Sequence, residues 1–528
     1  MARRKLKPLP KFILILTAIF AVGFLVWRYL PLSFGGGAGD VPADVFGSSN
    51  PTGGVYDPDK GNPNARPLAN PGGITLKRPI RVGVVTWGGY AGGQYFNEGF
   101  KPNANSRYKK EFGIDVEFIV DDDFDASRES WVKGRVDLLW TTIDAFPTEA
   151  AALAAHKPKV VFQADWSRGG DVIVARSGID TVKDLAGKRI AFARGTPSHT
   201  FLLWLLDSGG LNMASIQPVA VSDAIQAAET FKSGGVDAAV VWSPDDDAAV
   251  KAVPGSKRLI STKKASHIIA DAFFAKEEFL RKYPREVQAL VAGWMIGAAE
   301  INSSSRAKER AIDILAVGLN QPRDFCENAI NNVRLATYGD NIQFFGNVGA
   351  TGEDLYTRMT RVYQRQGLAG GAPGWRVISD PTFINSISLA GGPHYAESLA
   401  FTAPTEEEIK NPVVIASKPV SIHFPSGSSS ISAEAQGIIL QEVVPMLRGA
   451  GKARIRIEGN TDDVGNRQNN VSLSRKRAEA VQQYLVKNYE FDSNKFIVAG
   501  NGPDKPLLSN ATAVGRAANR RTDIVVQE

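Results

Sequence analysis

The chain has 528 residues, a length that suits two or three domains. Its apolar and charged fractions, 43% and 22%, are ordinary for a globular chain, and a net charge of +6 is too small at this length to mark a nucleic-acid-binding stripe. The single Cys326 excludes an intrachain disulfide and any multi-cysteine metal centre, and five scattered histidines without an HExxH pattern argue against zinc, so neither metal nor cofactor is expected.

The basic residues Arg3, Arg4, Lys5, Lys7 and Lys11 precede an apolar run at 12–27 that is followed by Arg28. Positive charge before such a run marks the cytoplasmic side of a membrane segment. A helix of about 16 residues spans roughly 24 Å, slightly short of a bilayer core. Tyr29, Leu30 and Leu32 extend it to 12–32 if Arg28 snorkels. The rival reading is a cleaved signal peptide with a weak site at Gly36-Gly37-Ala38. Either reading exports the rest of the chain. Residues 1–11 are then a cytoplasmic tip, and 33–77, rich in Gly, Pro, Asn and Asp, a flexible linker. A coil of about 45 residues has a root-mean-square span of roughly 35–40 Å.

From Arg78 onward, short apolar stretches at 80–85, 114–120, 136–140 and 189–193 read as strands separated by helical segments, the signature of parallel α/β sheets. Trp131-Val132-Lys133-Gly134-Arg135-Val136-Asp137 is echoed by Phe231-Lys232-Ser233-Gly234-Gly235-Val236-Asp237, and each leads into an apolar strand ending in Trp140 or Trp242. Two similar lobes, each with its own sheet, are the simplest account. Ligands of open α/β sheets sit beyond the carboxyl ends of the strands. Four turns would then line a cleft: Trp87-Gly88-Gly89-Tyr90, Thr141-Thr142-Ile143-Asp144, Gly195-Thr196-Pro197-Ser198-His199 and Trp242-Ser243-Pro244-Asp245. Thr196 or Ser198 can cap the helix at 200–206, whose free backbone N–H groups suit an anionic or carbonyl group. Trp87, Tyr90 and Trp242 can supply apolar walls. Each also has a plain structural reading, as a cap that only caps or a ring that only packs. Helices at 291–299, 311–319 and 357–366 are expected to cover the second lobe and hinge, and Cys326 reads as a small buried hydrophobe.

The phrase Asp184-Leu185-Ala186-Gly187-Lys188-Arg189-Ile190-Ala191, followed by Gly195-Thr196 and Leu202-Leu203, resembles the periplasmic solute-binding proteins of ABC importers, in the SsuA-like group that serves nitrate, sulfonates, taurine and thiamine precursors. Gly235-Val236-Asp237-Ala238-Ala239-Val240-Val241-Trp242 and the stretch 275–284 carry the same resemblance, which covers about 78–389 and assigns 78–400 to that domain. It implies a two-lobed fold with Thr196 and Ser198 in the ligand-contacting turn. Trp87, Tyr90, Thr141, Thr142, Asp144, Thr196, Ser198, His199, Trp242 and Asp245 are the candidate solute contacts. Asp144, Asp245, Asp246 and Asp247 crowd the cleft side with carboxylates, which disfavours a free sulfonate or nitrate and favours a cationic or amine ligand, or none. Enzymes of this fold that use a cysteine cluster are not matched, and no nucleophile–base pair stands out, so a binding protein rather than an enzyme is expected.

After a joint at 401–418, Ile455 and Ile457 alternate with Arg456 and Glu458 in a strand that turns through Thr461-Asp462-Asp463-Val464-Gly465. Ser472 or Ser474 is the expected cap of the next helix, where Ala478, Val481, Leu485 and Val486 recur at helical spacing. That turn, the run Asn470-Val471-Ser472-Leu473-Ser474-Arg475-Lys476-Arg477-Ala478 and the run Gly515-Arg516-Ala517-Ala518-Asn519-Arg520-Arg521 resemble the peptidoglycan-binding OmpA-like domain, also found in Pal and MotB, over 419–528. The resemblance implies that Asp462 and Arg477 grip the zwitterionic end of diaminopimelate in the stem peptide, with Thr461, Asn470 and Arg520 beside them. A carboxylate and a guanidinium are the right pair for a ligand carrying both ammonium and carboxylate; spacing alone allows an ordinary ion pair instead. Asn460 replaces the usual His or Tyr before the turn, and Phe424-Pro425-Ser426-Gly427-Ser428 lacks the usual Phe-Asp first-loop pattern. The apolar run at 12–27 carries no acid, which disfavours an ion-conducting role like that of MotB.

The fold class expected is α/β: a two-lobed periplasmic-binding-protein fold plus a small OmpA-like α/β domain behind one N-terminal membrane helix. The function expected is an inner-membrane-anchored envelope protein that binds peptidoglycan and a small solute, with a membrane-complex partner open and no nucleic acid. The alternative is a scaffold whose two-lobed domain docks a protein partner.

Overall fold

The computed structural model describes residues 74–527 apart from 347–350, 390, 399, 421, 423 and 425–427. The expected basic tip, membrane segment and all but the last residues of the linker lie outside the described residues. Among the described residues, no helix is long and apolar enough to cross a membrane.

The first lobe is a six-stranded sheet in the order Val333–Leu335, Pro158–Ser167, Ala270–Lys276, Leu138–Thr142, Ile80–Val84, Val116–Val120. The second is five-stranded: Gln217–Val221, Arg189–Ala193, Ala238–Trp242, Asp171–Ala175, Lys257–Ser261. Each sheet holds three parallel strands followed by an antiparallel one, so the expected all-parallel sheets are in fact mixed. The reason is the chain path. It passes from the first sheet to the second after Ser167 and returns after Ser261, and the strand on the far side of each crossing enters the sheet in the opposite sense. The hydroxyls of Ser167 and Thr262, one on each crossing, lie 2.9 Å apart.

The sequence echo is a structural one. Asp123 and Asp223 cap the helices Phe124–Val132 and Ala224–Lys232. Trp131 and Phe231 are fully buried. Gly134 and Gly234 take positive φ, +71° and +89°. Asp137 then accepts the Arg81 backbone N–H, and Asp237 that of Arg189, each at 2.9 Å. That bond keeps Asp137 outside the strand, which begins at Leu138, two residues later than the pattern at 136–140 implies. Thr141 and Thr142 therefore end a strand rather than open a turn. The helix Pro284–Ser303 is buried along most of its length under the first sheet, and Cys326 is buried as expected, its thiol pushed up to about 11 by desolvation.

The last part of the chain forms a four-stranded sheet ordered Val414–Val420, Thr522–Gln527, Arg454–Asn460, Phe496–Gly502. The helix Arg467–Tyr489 covers it with Ala478, Val481 and Leu485, all fully buried. Its N-cap is Asn466, whose side chain accepts from the N–H groups of Gln468 and Asn469, not Ser472 or Ser474. Ser474 is buried instead, accepting from the Gly502 N–H at 3.0 Å. The joint is pinned: the Arg454 guanidinium donates to the Thr402 carbonyl and pairs with Glu408.

This sheet does not stand apart from the second lobe. Phe201, Trp204 and Leu205 of the helix Pro197–Ser208 share one continuous apolar cluster with Val420, Met446, Leu447 and Ile457. Gly449 lies against the Trp204 indole, where an added Cβ would stand 2.3 Å from Nε1. Lys418 pairs with Asp207 at 2.8 Å and with Glu442 at 2.7 Å. Lys452 reaches Glu397, which also pairs with Arg168 beside the crossing, and Arg448 pairs with Asp354. Removing the Trp204 indole is expected to cost about 3 kcal/mol. Calorimetry of Trp204→Ala should show the C-terminal domain melting as a separate, earlier transition, where the parent melts with the second lobe.

Candidate functional site

Two sites emerge. In the C-terminal domain, the turn after Arg454–Asn460 is organised by its own residues. Asp462 Oδ1 accepts from Val464 N–H at 3.2 Å, and the Thr461 hydroxyl donates to the Asp462 carbonyl at 2.8 Å. Asn470 donates from the helix to the carbonyls of Val464 at 3.0 Å and Asp462 at 3.4 Å. Thr461 and Asn470 thus shape the turn. Seven residues on from Asn470, two helical turns, Arg477 projects from the same face. Its Nε donates to the Ser428 carbonyl at 3.1 Å, and its guanidinium sits 5.2 Å from the Phe424 ring centre. Asp462 does not bond Arg477. Its Oδ2 accepts instead from Arg520 Nη1 at 2.6 Å.

Arg477 and Arg520, with Phe424, Asn460 and Thr522, line a recess of about 40 Å³. Burial lowers the Arg477 pKa, the Arg520 charge lowers it further, and Asp462 opposes them. Two guanidiniums and one carboxylate around a small hollow can receive a carboxylate between the cations and an ammonium at the anion. Within the run 515–521, Arg520 and Arg521 both line this place. Arg521 is committed to a buried two-bond pair with Asp523, and Asn519 holds the N–H groups of Leu507 and Leu508.

The second site is the seam between the lobes. Tyr90 is fully buried and donates to Asp271 Oδ1 at 2.7 Å, and Trp87 Nε1 donates to Asp165 Oδ2 at 3.0 Å. In register, Asp271 stands opposite Asp165 on one neighbouring strand and Thr142 on the other, so all three share one face. Asp144 Oδ1 accepts from Ala270 N–H at 3.3 Å, and Asp171, across the crossing, accepts from the Ser167 hydroxyl at 2.9 Å. Trp242 pairs with Asp171 in the second sheet, and its ring lies 6.2 Å from that of Phe124 in the first lobe.

Sequence motifs do not single out Asp165, Asp171 and Asp271. Their signal is nonetheless present: each is a carboxylate set in an almost wholly apolar strand, as in Ala270-Asp271-Ala272-Phe273. Burial pushes Asp144 and Asp171 up to about 7, and burial with mutual repulsion raises Asp165 and Asp271.

Other expected contacts are otherwise engaged. The Thr141 hydroxyl donates to Glu149 at 2.7 Å. Thr196 occupies the N-cap position of Pro197–Ser208, but its hydroxyl donates back to the Ala193 carbonyl, so neither it nor Ser198 caps the helix with its side chain. His199 Nδ1 accepts from Gly195 N–H at 3.2 Å, and burial drives its pKa down to about 4. Asp245 is half-buried at the start of its own helix, and burial raises its pKa. Asp246 and Asp247 both pair with Arg258, so they do not crowd the cleft. Among the described residues, no His, Cys, Asp or Glu cluster is arranged to hold a metal ion.

With this geometry in place, similarity to known proteins divides the chain in the same way. Residues 105–293 match the family "ABC transporter, phosphonate, periplasmic substrate-binding protein", and residues 423–520 match the OmpA family. The two matches fall on separate parts of the chain, the first within the two-lobed part and the second on the C-terminal sheet domain. The putative aliphatic sulfonates-binding protein of Escherichia coli is 30% identical over 191 residues, 36% of this chain and 57% of that protein. Peptidoglycan-binding protein ArfA of Mycobacterium tuberculosis is 40% identical over 100 residues, 19% of this chain and 30% of that protein. The chain thus spans less than two thirds of either relative. The crystal structure of the periplasmic aliphatic sulphonate binding protein SsuA from Escherichia coli aligns over 63% of this chain and 98% of its own, at 21% identity and a TM-score of 0.46.

A carboxyl whose folded pKa is raised holds its proton more tightly folded than unfolded. Its contribution is present below pH 4 and is lost as pH rises through about 7. Asp171→Asn keeps the shape and removes that titration. Its thermal midpoint, relative to the parent, should climb between pH 5 and pH 8.5 by the equivalent of about 1–3 kcal/mol, measured by calorimetry on solute-free protein.

Proposed function

We propose that the chain is a non-enzymatic envelope protein. Its C-terminal domain holds the peptidoglycan stem peptide, and its two-lobed domain binds a small solute beside the wall. The observation that carries the reading is the recess lined by Arg477 and Arg520, with Asp462 paired to Arg520 beside it, in the segment that matches the OmpA family. The diaminopimelate ammonium would take Asp462 from Arg520, and its carboxylate would sit between the two arginines. Thr461 and Asn470 hold the turn that presents Asp462.

The apolar segment at 12–32 is the proposed inner-membrane anchor, with the linker at 33–77 letting a membrane-held protein reach the wall. The proposed domains are 78–400 for the solute and 419–528 for the wall, joined at 401–418. One observation favours the scaffold reading instead. The lobes touch directly, Thr148 donating to the Gly195 carbonyl at 3.0 Å and Asn332 to the Ser243 hydroxyl at 2.9 Å.

Purified sacculi should retain the parent chain, while Asp462→Ala or Arg477→Ala should bind at least tenfold more weakly; undiminished retention of the double variant removes the wall site. Fractionation should place the intact chain in the inner membrane, and a mature N-terminus beginning after Ala38 would refute the anchor.

A further inference from the structure

The seam between the lobes gathers four aspartates, of which Asp144 feels the charge of the buried Arg358. Asp144, Asp165 and Asp271 come from the first lobe and Asp171 from the second, and all four are buried. Asp165 Oδ1 and Asp171 Oδ1 are buried oxygens without a hydrogen-bond partner among the described residues, while the hydroxyls of Thr142 and Thr200 are directed at Asp144. A buried polar atom left unpaired is costly, and a buried carboxylate more so. Two arginines lie near, but each already has its own carboxylate. Arg128 forms a two-bond pair with Glu149 and stacks 4.5 Å over the Trp140 ring, and Arg358 faces Asp354. Arg358 also feels the Asp144 charge, which leaves Asp165, Asp171 and Asp271 as the acids without a base acting on them.

The complement of this arrangement is a cation with N–H donors. A bare metal ion does not fit, because no set of acids among the described residues is arranged to hold one. An anion such as a sulfonate would meet four carboxylates at close range. Alkylammonium groups suit both features of the seam. Each brings donors for the unpaired oxygens, and the intervening methylenes can lie against Trp87 and Trp242, whose faces also attract cations. One positive charge would leave most of the acids uncompensated, whereas two or more bridge acids on both lobes and so draw them together.

We propose that the seam is a receptor for a small di- or polyamine, held by Asp165 and Asp271 from the first lobe and by Asp171 from the second, with Asp144 and Thr142 completing the cage. This rests on the solute-binding reading above and names its substrate class. The acids lie at the crossings between lobes, so a ligand bridging them ties domain closure to its own charge.

The test uses the full chain, stripped of small molecules, in thermal-shift and calorimetric titrations. The probes are putrescine, cadaverine and spermidine, with ethanesulfonate and methylphosphonate as anionic controls. At least one amine should raise the midpoint by several degrees. Asp165→Asn and Asp171→Asn, one from each lobe, should each weaken its Kd at least tenfold while sacculus retention, the check on folding, stays unchanged. An amine shift that survives in both variants overturns the assignment to this cluster. A shift with an anion and none with amines overturns the cation and leaves the solute-binding reading standing. No shift with any probe overturns both and favours the scaffold.

Discussion

The arrangement depends on one apolar interface, where the helix Pro197–Ser208 of the second lobe and the C-terminal sheet bury their hydrophobic residues together. Burying this surface is worth far more than the ion pairs around it, since exposed pairs contribute little. Its mechanical consequence is specific. Lys418 ties the domain to Asp207 of the second lobe, Arg448 to Asp354, and Lys452 to Glu397, which also holds Arg168 beside the crossing. The C-terminal recess and the seam between the lobes therefore belong to one packed body.

The two sites solve opposite electrostatic problems. The C-terminal recess brings like charges, Arg477 and Arg520, to one hollow and offsets them with Asp462 from the neighbouring turn. A zwitterion can replace that internal pairing without changing the net charge of the site. The seam gathers more acids than bases act on, Arg358 reaching Asp144, so the rest of its neutrality comes from protons or from a bound cation. Burial raises these carboxyls, so protons supply it as pH falls.

Much of this was legible in the residues. The three C-terminal motifs located the Asp462 turn and the Arg477 helix, and the hundred-residue echo at Asp137 and Asp237 announced two lobes of the same local design. What the pattern hid was contact between distant segments. Nothing in the spacing says that Asp462 meets Arg520 rather than Arg477, because that choice is made by the packing of the last strand. Asn466 caps the helix in place of the serines because it precedes the first helical turn, while Ser474 is taken by Gly502. The seam acids were visible as carboxylates in apolar strands, but their convergence needed the register of three strands and a crossing. The acidic run 245–247 is the more conspicuous signal in the sequence, yet Arg258 claims two of its members.

The central claim is that the C-terminal domain is fixed on the second lobe rather than swinging from its joint. The most direct measurement is a spin-label distance by pulsed paramagnetic resonance between Ile225→Cys and Val514→Cys, positions 60% and 74% exposed on the two sides; the native Cys326 is buried and out of reach of the label. A single narrow distance distribution, unchanged on adding sacculus fragments, is the predicted result. A broad distribution spanning tens of ångströms would show that the two domains move independently and would contradict the account.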